Sequence, residues 1–364
     1  VKQRLDGLTG LRGITAFSVV IFHFNIMPLS SMEVATWLPF FKFGNTAVDI
    51  FFIISGFIIS FVHLNDFKNL SSRGIGRFIL LRLARIYPLY VLTVIFMVGM
   101  TAGAIMLHLP YNPKIADFGR LLDCLLMTQA WHSDGMVWNY PGWSLSAEWF
   151  EYLIFPLIAS GVVGLGKRQG AFVLVVAAGA LIAYGGLNYF ESMPLIRSTA
   201  GFLLGMLCFQ LTYLNLVKSI PFVPIALLAI AILTFTWGTI AGPLTLLMFY
   251  SIIVLACAYP GNRIERTFVY KPFEYLGQIS YSLYLIHAPI QMVLGRILLQ
   301  RWQFGQSKIA DIIVSGAFIF VTVLLAHLVY RWFELPTRRW LRSRILPYYQ
   351  LEEGAPPGVT SAKT

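Results

Sequence analysis

Arg12 and His23 stand eleven residues apart in a run that is otherwise apolar, "LTGLRGITAFSVVIFHF". At roughly 100° per residue, eleven steps make about three turns plus ~20°. On a helix the two side chains therefore share one face, roughly 16 Å apart along the axis. A guanidinium grips phosphate bidentately. An imidazole titrating near neutrality can take the proton of a hydroxyl. Ionisable groups at membrane depth are costly and face a cavity, a pathway or a polar partner. Each has a structural alternative: Arg12 as a snorkelling anchor, His23 as one end of an interhelical hydrogen bond. Sharing a face favours a polar cleft.

The spacing suits a ligand with a phosphate-bearing head and a long thin arm. The arm of coenzyme A has about that length, so its thioester would reach His23. Asp49 opens a second apolar run, "VDIFFIISGFIIS". It could orient the imidazole as the acid of a catalytic triad does, or serve as a carboxylate favoured at a helix start. Ser55 and Gly56 read as close helix packing. Arg77, Arg82 and Arg85 approach the membrane together in "RFILLRLARIYPLY". Arg82 and Arg85, three residues apart, share a helix face; phosphate of a ligand or of lipid headgroups would satisfy them. In "WNYPGWSLSAEWFEYL", Trp138, Trp143 and Trp149 accompany Ser144 and Glu148. Such tryptophans are belt residues at a membrane interface, or platforms for a sugar whose hydroxyls meet the neighbouring polar groups. Ser280, Tyr284 and His287 recur at helical spacing in "ISYSLYLIH" and form a polar stripe. Glu334, beside Arg331, Arg338 and Arg339, reads as part of a surface ion-pair cluster.

These residues need membrane helices to hold them. The chain has 364 residues, of which 57% are hydrophobic and only 12% charged. Soluble domains average about 25% charged residues, so this composition indicates an integral membrane protein. The expected fold is all-α: about ten spans of roughly 20 residues around a central polar cleft or tunnel. They lie at 11–29, 45–63, 87–108, 149–166, 170–188, 195–214, 221–238, 243–259, 280–300 and 309–331. Residues 64–86 read as a basic loop, and 118–131 as an interfacial amphipathic helix. Most of the 27 lysines and arginines fall on one side of this topology, which by the positive-inside rule puts both termini in the cytoplasm. The net charge of +11 is thereby explained without nucleic acid. Residues 1–345 form the membrane domain, and 346–364 a polar, disordered tail. The three cysteines read as buried, inert thiols, and no spacing suggests a metal.

Five stretches, in order, resemble the type 3 membrane acyltransferase family: "LDGLTGLRGITAFSVVIFHF", "VDIFFIISGFIIS", "RLARIYPLY", "WSLSAEWFEY" and "ISYSLYLIH". A sixth, "RWFELPTRR", is similar to its terminal span. Arg12 and His23 match its Arg-x10-His motif, Arg82 and Arg85 its Arg-x-x-Arg element, and Trp143, Ser144 and Glu148 its tryptophan–serine–acid element. The resemblance implies an enzyme of the bacterial inner membrane. It would move an acyl group, usually acetyl, from cytoplasmic acetyl-CoA to a hydroxyl of a cell-surface, exported or lipid-linked polysaccharide. Many members carry a further hydrolase-like domain beyond the spans, and none is read in these residues.

The resulting expectation is catalysis by His23 and Arg12, with Glu148 or Asp49 orienting the imidazole. Arg82, Arg85, Arg77, Tyr284 and His287 would hold the acetyl-CoA; Trp143, Ser144 and Trp138 would face the acceptor. Partners are the acyl donor, the glycan and membrane lipids. A transporter or flippase of a lipid-linked sugar is the alternative for ten spans with a polar interior.

Overall fold

The computed structural model describes residues 5–26, 44, 46–132, 135–187, 193–214, 216–217, 220–236, 242–301 and 308–350. All regular elements among them are helical. In chain order they are α1 (Asp6–Ile26), α2 (Ala47–His63), α3 (Ser72–Met106), α4 (Leu121–Leu125), α5 (Trp143–Leu165), α6 (Lys167–Leu187) and α7 (Pro194–Tyr213). Then come α8 (Phe222–Thr236), α9 (Gly242–Ala258), α10 (Arg263–Phe268), α11 (Lys271–Arg301), α12 (Lys308–Val329) and α13 (Leu335–Gln350).

Each expected span falls on one of these helices, except that 27–29, 45, 188 and 237–238 lie outside the described residues. Seven stretches among the described residues are long and apolar enough to cross a membrane: Asp6–Phe24, Ala47–Phe67, Ser72–Met106, Tyr140–Leu165, Lys167–Gly185, Pro194–Tyr213 and Ile313–Pro347. Phe222–Leu233 and Leu244–Ala258 are shorter apolar helices. The ninth expected span lies within α11.

The basic loop is shorter than the sequence suggested, because α3 starts at Ser72 and runs 35 residues. Ser71 caps it, its Oγ accepting from the Gly74 N–H at 3.0 Å. Pro88 lies inside this helix and forfeits one backbone bond without ending it. The expected interfacial helix at 118–131 is only a 3-10 turn, Phe118–Arg120, continued by the five residues of α4. The chain there folds back on itself: Tyr90 donates to the Cys124 carbonyl at 2.9 Å, and the Ser146 hydroxyl accepts from the Ala130 N–H at 3.1 Å. Cys124, Cys208 and Cys257 are buried and free. Burial pushes the Cys124 thiol up to about 12.

The last helix also outruns its expected end. A π-helical turn, Tyr330–Glu334, joins α12 to α13, which continues to Gln350. The first five residues of the expected tail are thus helical, and 351–364 lie outside the described residues. A π turn holds one residue more than an α turn, which rotates the next stretch of helix by about 100°. Glu334 is carried inward by it: the residue is 6% exposed, and its Oε2 accepts from Ser282 at 2.6 Å. The expected surface cluster is therefore replaced, for this carboxylate, by a buried site near Arg85, Arg338 and Arg12.

Candidate active site

The site begins where α1 lies against α11. A Cβ on Gly277 would meet the Thr9 carbonyl oxygen at 1.9 Å, and one on Gly13 would meet the Gly277 nitrogen at 2.4 Å. Only glycine lets the two backbones touch. The contact sets Arg12 against α11: its Nε donates to Ser280 Oγ at 3.0 Å and its Nη2 to the Gly277 carbonyl at 2.9 Å. Further along the same pair, His287 Nε2 lies 3.2 Å from His23 Nδ1. The low-numbered ends of both contacts coincide, so α1 and α11 run parallel. This agrees with the first and ninth expected spans, which have seven crossings, an odd number, between them.

Around Arg12 opens a cleft of about 110 Å³, lined also by Arg82, Arg85, Ser55, Ser144, Glu148, Tyr152, Ser280 and Tyr284. Three guanidiniums thus face one carboxylate. Glu148 Oε1 accepts from Ser55 at 2.8 Å and from Tyr152 at 2.5 Å. Arg82 packs its guanidinium over the Phe78 and Tyr152 rings, 5.6 and 6.0 Å from their centroids. Its Nη2 donates to His63 Nε2 at 3.0 Å, while its buried Nε has no hydrogen-bond partner. Among the described residues Arg85 makes no hydrogen bond or ion pair of its own. This set is suited to an anion with several oxygens.

The imidazoles stand apart from that cleft. Neither His23 nor His287 lines it. Their rings stack at 5.0 Å, with Tyr140 4.9 Å from His23. His23 Nδ1 is 3.0 Å from the Val19 carbonyl, an acceptor only, so the proton sits on Nδ1 and Nε2 keeps its lone pair. Tyr140 donates to Gln291 at 2.7 Å, and Gln291 donates to the His23 carbonyl at 2.6 Å. Tyr284 divides the two regions. It lines the cleft, bonds to Ser144 Oγ at 2.7 Å and to the Pro141 carbonyl at 3.1 Å, and its ring lies 5.9 Å from that of His287. In place of an open tunnel there is a cleft at the arginines, and Tyr284 stands between it and the packed histidine pair. The stripe Ser280–Tyr284–His287 touches Arg12, Ser144 and His23 in turn.

Other candidates lie elsewhere. Neither candidate acid bonds the His23 ring among the described residues. Asp49 accepts from Arg197 Nε at 2.6 Å and Nη2 at 3.1 Å, a buried bidentate pair. Arg197 in turn stacks 5.6 Å from Trp143, whose ring is 6.0 Å from Phe52. Trp138 is 1% exposed and donates to the Asp117 carbonyl at 2.9 Å, pinning the loop before α5. Arg77, five residues before Arg82 on α3, does not line the cleft. Ser144 lies in the first turn of α5, and its hydroxyl contacts the Pro141 carbonyl at 3.1 Å. Sequence reading missed Tyr152 although it stands at i+4 from Glu148, a spacing that could have revealed it. It missed the Ser55–Glu148 bond, Tyr140, Gln291 and His63, for which no local signal exists.

Comparison with known proteins adds to this geometry. Two O-acetyltransferases OatA, from Staphylococcus aureus and Listeria monocytogenes, are 22% and 23% identical over 92% and 93% of the chain. The second is named a peptidoglycan O-acetyltransferase. The acyltransferase MdmB of Streptomyces mycarofaciens is 33% identical over 42% of the chain and 39% of its own length. The chain spans only 57% and 56% of the two OatA proteins. No solved structure matches. A family model for the type 3 acyltransferase domain matches residues 5–331. That stretch takes in every helix around the arginine cleft and the histidine pair, and the chain belongs to the type 3 acyltransferase family.

Proposed function

We propose that this membrane domain transfers an acetyl group from acetyl-coenzyme A to a hydroxyl of a cell-surface, exported or lipid-linked glycan. The observation that carries the proposal is that the arginine cleft and the histidine pair lie along one pair of helices, α1 against α11. Three guanidiniums surround an anion-sized cleft at the Arg12 end, and an imidazole with a free Nε2 lone pair stands at the His23 end. The names of the relatives support acetyl and an O-linked product.

The phosphates of the donor lie against Arg82 and Arg85, and Arg12 holds the inner part of the arm. The arm runs along Ser280 and Tyr284 towards the histidines, and the Tyr284–Ser144 bond opens to let it pass. His23 Nε2 takes the proton of the acceptor hydroxyl as its oxygen attacks the thioester carbonyl. The C–S bond breaks, and the proton leaves with the sulfur as free thiol. A relay in which His23 or a serine is first acylated uses the same groups. The donor enters from the cytoplasm, and the membrane is the bacterial cytoplasmic membrane. Membrane lipids solvate the outer helix faces.

Mass analysis of surface glycans from cells with and without the protein tests this reading. Loss of acetyl groups on deletion is the expected result. Unchanged acetylation with a failure to export a glycan would instead indicate a transporter.

A further inference from the structure

His63 ends α2 and lies outside every motif that the sequence analysis singled out. A guanidinium has N–H donors and no acceptor, so the 3.0 Å contact between Arg82 Nη2 and His63 Nε2 makes Nε2 the acceptor. The ring proton is then on Nδ1, which lies 2.8 Å from Asp66 Oδ2 and donates to it. Asp66 sits in the 3-10 turn Leu64–Phe67, directly after α2. Phe78 clamps the arrangement, its ring packed edge to face with that of His63 at 5.3 Å between centroids and its face under Arg82.

Arg82 is thus oriented by a neutral group. A carboxylate in that place would fix the guanidinium equally well, but it would neutralise the charge and compete with an incoming anion. The carboxylate nearest on α5, Glu148, is instead engaged through its Oε1 with Ser55 and Tyr152. We propose that His63 is a positioning residue for donor binding: its neutral ring, fixed in one tautomer by Asp66, aims Arg82 at the donor's phosphate while leaving the full guanidinium charge available.

This inference rests on the arginine cleft being the donor site, and the test separates the two. The purified full-length protein is titrated calorimetrically with acetyl-coenzyme A as wild type and as Arg82→Ala, His63→Leu, His63→Gln and His63→Glu. Thermal unfolding of each variant is recorded. Gln offers a neutral acceptor and retains wild-type affinity within about twofold. Leu removes the acceptor and weakens binding roughly tenfold. Glu weakens it as much, although it pairs with Arg82 and leaves thermal stability intact. If Arg82→Ala binds normally, both the cleft assignment and the role of His63 fall. If Arg82→Ala binds weakly and His63→Leu normally, the role of His63 alone is overturned. Should His63→Leu fail to fold, the contrast between Gln and Glu decides: equal affinity in those two contradicts the proposal.

Discussion

At the scale of the residue, the arginine cleft is the region whose role can be measured most simply. Arg82 and Arg85 carry charge that no carboxylate nearby fully offsets. Arg82→Ala combined with Arg85→Ala is expected to weaken acetyl-coenzyme A binding by at least about 1.5–3 kcal/mol, the value of a charged hydrogen bond. Titration calorimetry checks it, and rising salt should weaken the wild type more than the variant. These residues were legible because a helix repeats every 3.6 positions. Arg12 with His23, Arg82 with Arg85, and Ser280 with Tyr284 and His287 each keep one face, and those faces meet. Partners distant in sequence were not legible. Asp49 found Arg197, 148 residues away, in place of an imidazole. Glu334 left the surface through a π turn that no 3.6-residue pattern announces.

At the scale of the element, two helix crossings hold the site, and both depend on glycine. Gly13 and Gly277 bring α1 onto α11; Gly56 and Gly205 do the same for α2 and α7, where an added Cβ would lie 2.0 Å from the Phe202 and Ile53 carbonyl oxygens. Gly277→Ala forces α1 and α11 apart. It is expected to cost about 1–3 kcal/mol of stability by overpacking and to weaken donor binding, because Arg12 loses Ser280. Thermal unfolding and titration of one sample would check both. Asp49→Ala strands Arg197 without its buried partner, with an expected cost of about 3–5 kcal/mol. Unfolding of that variant with little loss would return the pair to a lesser role. The expected spans found their helices because apolar length is a strong signal. Their ends were less legible: α3 runs back to Ser72 because Ser71 caps it, and a polar, basic first turn hides that start from hydropathy.

At the scale of the whole molecule, composition alone placed the chain in a membrane, and the family match over residues 5–331 agrees with the ordered motifs. The separation of the arginine cleft from the histidine pair was not legible, since it depends on where one tyrosine side chain lies. It gives the molecule an arginine end and a histidine end, and in the proposed reaction the donor and acceptor approach from opposite sides. In sealed vesicles, acetyl-coenzyme A should support glycan acetylation only from the side that the Arg82 end of α3 faces. Activity with donor on the other side would reverse the assignment. The most direct measurement compares His23→Ala with wild type for acetyl-coenzyme A binding and for thiol release in the presence of peptidoglycan fragments and surface polysaccharide. With the donor's phosphates held in the arginine cleft and His23 acting only as base, donor affinity is expected to stay unchanged and thiol release to fall by at least about 10²-fold. Normal release, or donor binding lost along with the imidazole, would contradict that arrangement.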